Sequence, residues 1–253
     1  MKIRRLKLTM DALSRLPENE RTFLLMAGHM QNEFVMLNKL FTMCISPGES
    51  GSSKIESAVD GAQGFTIMKI LAGKVYEGWQ LMTTAYFGSR LACSLDPLLH
   101  EPARLALDDL KSYFSHSNLI YTVRNSFAFH YSAKQIALHW QEAASESNFD
   151  LYIGNEYGNT FHFASETAVN MAVLNGINPQ DKAVALEEFL TEVQNVTGQF
   201  NNLLDGIMFV ILERCLGVNL SALGVEEEVH PTKGLGEVKI SFFYIPPIPQ
   251  TGA

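Results

Sequence analysis

Cysteine is scarce in this chain of 253 residues: Cys44, Cys93 and Cys215 are the only three, far apart and without a CxxC pair. An odd, dispersed set excludes a disulfide framework and a zinc ribbon, and its expected setting is a reducing cytoplasm. No two of the seven histidines stand at i,i+3 or i,i+4, HExxH does not occur, and the paired Glu-x-x-His motifs of a di-iron bundle are missing. No metal site or cofactor is therefore expected. Walker GKS/GKT and GxSxG sequences are also lacking, which leaves nucleotide-driven catalysis and a serine-hydrolase triad without an anchor. Positive charge is in deficit, 19 Lys and Arg against 27 Asp and Glu for a net charge of -8. That balance disfavours a protein that coats nucleic acid through a general positive field, though not one with a local basic groove. Long apolar runs are missing as well. The stretch from Ile207 to Leu212 is too short to span a bilayer, and Asp11, Ser14 and Arg15 interrupt the basic start. A soluble, unprocessed chain without a membrane segment is the expectation.

What the chain does have is helical periodicity, with 47% hydrophobic residues to build a core. After Leu16-Pro17-Glu18, a proline followed by carboxylates in the manner of a helix start, Phe23, Met26, Met30, Phe34, Leu37, Phe41 and Cys44 step by three or four. Ser46 to Ser53 reads as a flexible loop. A second stripe, Phe65, Met68, Leu71, Val75, Trp79, Met82 and Tyr86, ends near Gly88 and is long enough to pair antiparallel with the first. Asp96-Pro97 can cap a third helix that places Leu105, Leu110 and Phe114 inward, and Pro102 either kinks it or marks its true start. A fourth stripe, Leu119, Ile120, Val123, Phe127 and Tyr131, follows Ser117 or Asn118 as N-cap. Ser132 and Gln135 fit a capping box for a new helix or a bent continuation over 136–144. Residues 149–164 carry the aromatic and β-branched content of a hairpin around Gly154 to Asn159. Ser165 caps a shorter helix that Gly176 ends. Asn178-Pro179 opens the longest helix, whose stripe Phe189, Val193, Val196, Phe200, Leu203, Ile207, Val210 and Arg214 stops at Gly217.

These patterns predict an all-α fold: a helical bundle of long antiparallel helices over 1–217, with a small β-hairpin insertion near 149–164. A tail over 218–253 holds Glu226-Glu227-Glu228, a strand over Val238 to Tyr244 and a proline-rich end. It reads as a peripheral arm or a partner-binding tail.

One stretch carries chemistry. Tyr121-Thr122-Val123-Arg124-Asn125-Ser126-Phe127-Ala128-Phe129-His130-Tyr131 places a guanidinium, an amide and an imidazole within two turns of a predicted helix. A histidine of unperturbed pKa near ~6.5 can take the proton of a ribose 2′-hydroxyl or protonate the leaving 5′-oxygen. Arginine can hold the charge that develops on the phosphorus. RNA supplies its own nucleophile, so no metal is needed. At about 100° per residue, Arg124 and His130 stand about 120° apart on an α-helix, so one helix makes an incomplete site. A second copy across a two-fold axis completes it, which predicts a homodimer.

Arg124-Asn125 followed by His130 resembles the R-x4-6-H signature, with a polar residue after the arginine, of the HEPN superfamily of helical RNase and nucleotide-binding domains. The resemblance covers roughly ten residues and the all-helical setting. It implies a bundle that dimerises through the motif helix, a composite cleft, and metal-independent endoribonuclease action in toxin, phage-defence or RNA-processing systems, with an antitoxin partner among the expectations. Arg124, Asn125 and His130 are the catalytic candidates. Tyr131, His116 and Lys134 are substrate-binding candidates: the first two to orient His130 or touch a base, or else to serve as core and cap, and Lys134, with Lys111, to attract phosphate or merely to solvate a helix face. Lys2, Arg4, Arg5 and Lys7 either guide RNA or balance the acidic surface. Two competing readings are a non-catalytic helical assembly protein, with Arg124 paired to a surface carboxylate, and a silent RNA-binding relative.

Overall fold

The computed structural model describes residues 1–46, 53–128, 133–134, 136–138, 150–217, 224–231 and 233–245. The chain is an all-α bundle with one small antiparallel sheet. A short helix α1 (Met10–Ser14) leads into α2 (Glu18–Ile45), which starts directly after Pro17. Helix α3 (Lys54–Leu81) begins with a capping box, Ser53 accepting from the Glu56 N–H while Glu56 accepts from the Ser53 N–H. It widens into a π-helical turn, Met82–Tyr86, and stops at Gly88, whose φ of 69° suits glycine. Next come α4 (Arg90–Leu95), α5 (Glu101–Phe114), α6 (Leu119–Val123), α7 (Phe163–Ile177) and α8 (Lys182–Leu216).

The long helices pair antiparallel. Along α2 and α8, Gln31 donates to Asp205 at 2.7 Å while Phe34 meets Phe200 at 5.8 Å. Helix α3 buries more than one side, with Val59, Lys69 and Gly73 covered as well as the stripe Phe65, Met68, Leu71 and Val75. It can do so because Gly78 lets α2 approach: a Cβ there would lie 2.6 Å from Met30 Sδ. Gly206 does the same for α5 and α8, since a Cβ would fall 2.4 Å from Ala103 Cβ.

The polar residues of α3 beyond its first turn choose its neighbours. Asp60 holds Lys239 at 2.9 Å, Lys69 donates to Asn170 of α7 at 3.0 Å, Lys74 to Glu33 of α2 at 2.6 Å, and Glu77 binds Arg124 at 2.8 Å. Each of these charges faces a different element. A charge on a largely apolar helix needs a partner wherever the helix is covered, so the set fixes what packs where.

Several sequence expectations shift in detail. Pro102 marks the start of α5 behind the His100 cap. That helix buries Ala103, Ala106, Leu107 and Leu110, which turns Leu105 outward at 57% exposure. The small Ala103 is what permits contact with Gly206, so the buried stripe is rotated away from the larger leucine. Met26 of α2 is also exposed. The expected hairpin over 149–164 consists of one antiparallel pair, Tyr152 and Phe161, exchanging backbone hydrogen bonds of 3.0 and 2.8 Å. Its second arm is cut short because Phe163 already starts α7. Helix α7 begins two residues before Ser165, and Gly176 lies within it. Asp181 rather than Asn178 caps α8, while Gly217 ends it with φ at 68°. The expected loop from 47 to 52 and the Ser132–Gln135 capping box lie outside the described residues.

Strand β1 (Lys2–Arg5) pairs with β2 (Val225–Glu228), Lys2 opposite Glu228 and Arg5 opposite Val225. Lys2 binds Glu226 at 3.1 Å and Arg5 binds Glu227 at 2.9 Å, so the basic start meets the acidic run of the tail. Residues 238–244 form no strand but lie against the bundle, with Ile240 N donating to Met43 O at 3.0 Å and Phe242 N to Asp60 Oδ1 at 3.0 Å. Among the described residues no helix is long and apolar enough to cross a membrane.

Candidate functional site

Asn118 sets the start of the motif helix: its Oδ1 accepts the Tyr121 N–H at 2.8 Å. Glu192, reaching across from α8, accepts the Leu119 N–H at 3.2 Å and the phenolic O–H of Tyr113. A carboxylate at the positive end of α6 satisfies donors the helix cannot pair itself. Burial, then the bond to Glu192, holds the Tyr113 phenol far above its ordinary pKa.

Ile120 and Val123 are buried and anchor α6. The chain then widens into a π-helical turn, Arg124–Ala128. Such turns are rare and recur at functional positions. A π turn advances by a different step per residue than an α-helix, so α-helical angles do not hold across residues 124–128.

Arg124 lies at the edge of α3. Its Nε and Nη2 donate to the same oxygen, Glu77 Oε1, at 3.1 and 2.8 Å, and its Nη1 donates to Asn125 Oδ1 at 2.9 Å. The guanidinium carbon stands 5.4 Å from the Tyr76 ring centroid, and Tyr76 meets Tyr121 edge-on at 5.6 Å. The Arg124 side chain is 29% exposed and Glu77 49%. The result is a half-open cation framed by a carboxylate, an amide and two tyrosines.

Arg124 and Asn125 are therefore in contact. His130 and Tyr131 lie outside the described residues. His116 belongs to the end of α5: its Nδ1 sits 2.7 Å from Ser115 Oγ and 3.2 Å from Ser112 O, the environment of a C-terminal cap. Lys134 is exposed on a helical segment, and Lys111 stands over the Phe87 ring at 5.3 Å. Glu77 and Tyr76 are not marked by the sequence pattern, because they fall beside, not on, the apolar stripe of α3, and Tyr121 heads the motif stretch without a role that spacing alone assigns. Among the described residues no group of His, Cys, Asp and Glu is placed to hold a metal ion.

No protein-family model matches the chain, and no curated protein and no solved structure matches it.

Proposed function

We propose that the motif helix is an RNA site, and that the chain acts as a metal-independent endoribonuclease of HEPN type in a homodimer. The observation that carries this reading is the Arg124–Asn125 contact at 2.9 Å on a π-helical turn, with the guanidinium partly open to solvent. Guanidinium offers five N–H donors, and among the described residues Glu77 and Asn125 take three of them, which leaves two to face phosphate oxygens. Asn125 fixes the guanidinium plane. Tyr121, 49% exposed, supplies an aromatic surface of the kind on which unpaired bases stack. In this assignment Arg124 clamps the scissile phosphate, and His130 moves the proton of the 2′-hydroxyl or of the leaving 5′-oxygen. A second copy supplies the other half of the cleft. An antitoxin-type protein partner belongs to the same proposal and rests on the resemblance alone.

A second reading has its own observation. Glu77 and Tyr76 hold Arg124 against α3, which is also how an arginine serves as a purely structural latch in a helical assembly protein. Labelled single-stranded RNA with EDTA separates the two. An active nuclease cuts the RNA, a silent relative retains it in a shift assay uncut, and an assembly protein does neither.

A further inference from the structure

Away from the motif, α3, α7 and the start of α8 enclose a cleft of about 290 Å³. Along one face of its first turns α3 presents the small residues Ala58, Gly61 and Ala62, which leaves room between it and α7. A Cβ added at Gly61 would meet nothing within 4 Å. Phe65, Phe163 and Leu186 supply apolar walls. The volume is at the small end of ligand sites, which pair such walls with a few polar groups that fix orientation.

The polar lining residues are Glu166, Thr167 and Asn170 of α7, and Glu166 and Asn170, four residues apart, share one face. Behind them lies Lys69, with a side chain only 7% exposed. Its Nζ donates to Asn170 Oδ1 at 3.0 Å, stands 3.9 Å from Glu166 Oε2 and lies over the Phe65 ring at 5.5 Å. An ammonium can only donate, so it fixes the Asn170 amide with its oxygen inward. The N–H2 group is then what Asn170 can offer the cleft. Glu166 turns Oε2 toward Lys69 and Thr66, the latter at 3.5 Å, so Oε1 is the oxygen it can offer. Lys69 and Glu166 already balance each other's charge. A cationic ligand would meet the lysine and an anionic one the glutamate, so a neutral ligand is favoured.

We infer that this cleft binds a small planar molecule through a neutral amide or lactam edge, whose N–H donates to Glu166 Oε1 and whose C=O accepts from Asn170 Nδ2, with its flat body against the apolar walls. The site stands apart from the RNA reading. Two sources carry that edge: a free aromatic amide, or a base such as uracil.

The test uses the full chain, with backbone amide NMR shifts at Gly61, Ala62 and Thr167 as readout. Benzamide, uridine and N,N-dimethylbenzamide, which lacks the N–H, are the probes. Benzamide or uridine should shift these amides with a Kd on the order of 1 mM, as suits fragments of roughly ten to twenty heavy atoms. Binding by benzamide identifies a free amide as sufficient, and binding by uridine alone assigns the edge to a nucleobase. Gly61→Leu fills the space and should abolish the shifts without lowering Tm, since it removes a glycine from a helix interior. Asn170→Asp keeps an oxygen for Lys69 but removes the donor, and should weaken binding at least about fivefold. No shift from either amide-edged probe, equal binding of the dimethyl probe, or undiminished binding by both variants would overturn the assignment.

Discussion

Arg124 gives two of its N–H donors to one oxygen of Glu77, at 3.1 and 2.8 Å, across 47 residues of sequence. That ion pair fastens the π-helical turn to α3 and sets a negative charge beside the group proposed to hold phosphate.

Glu77→Gln should therefore tighten RNA binding. Removing a half-exposed carboxylate next to a phosphate subsite is worth about 0.5–1 kcal/mol, roughly a two- to fivefold fall in Kd, and the gain should shrink as salt rises. Fluorescence anisotropy with single-stranded RNA at two salt concentrations measures it. Tm should drop by only about 1–2 °C, because exposed pairs stabilise little. An unchanged Kd would favour the latch reading of Arg124.

Two tyrosines, Tyr86 in the core and the partly buried Tyr113, make stability fall at high pH. Burial, followed by the bonds to Asp96 and Glu192, raises the pKa of Tyr86 and of Tyr113 well above the ordinary phenol value. Below about pH 10 both states keep the proton, and the tyrosines contribute fully. Above it the unfolded chain loses protons that the folded chain retains, so stability declines by up to about 1.4 kcal/mol per pH unit for each tyrosine. Tyr86→Phe and Tyr113→Phe should each flatten the fall of Tm with pH in that range, which thermal melts from neutral to alkaline pH would register.

The tail depends on Asp60, only 5% exposed on its side chain, which binds Lys239 at 2.9 Å and accepts from Phe242 N at 3.0 Å. Asp60→Ala removes both contacts and should speed tryptic cleavage after Lys239 by about tenfold or more, as local opening becomes easier. Asp60→Asn keeps an acceptor for Phe242 and should fall between. Mass spectrometry of timed digests reads the rates, and cleavage as slow in Asp60→Ala as in the parent would refute the staple.

The sequence discloses what is local. The onset of α2 after Pro17, the stop at Gly88 and the end of α8 at Gly217 follow from residue-level chemistry that acts within a turn or two. Partners far apart in the chain are not disclosed. Lys2 and Glu226 are separated by 224 residues, and composition favoured a strand over Val238 to Tyr244, yet β1 found the acidic run instead. Opposite charges across the ladder prevailed over β propensity, which depends on context. At the candidate site, Arg124 and Asn125 could be singled out from type and spacing. Glu77 could not, because helical periodicity places residues on faces without naming what covers them. Nor does periodicity distinguish the π turn at 124–128 from an α-helix, since apolar spacing tolerates a single wide turn.

The end group left on RNA tests the central claim most directly. In EDTA, the parent chain should release fragments of single-stranded RNA that end in 2′,3′-cyclic phosphate, the product of attack by the neighbouring 2′-hydroxyl. Arg124→Ala and His130→Ala should each lower that rate by about 100-fold or more while leaving the helical circular dichroism intact. RNA left whole by the parent, fragments ending in 3′-hydroxyl, or equal cutting by His130→Ala would contradict the assignment.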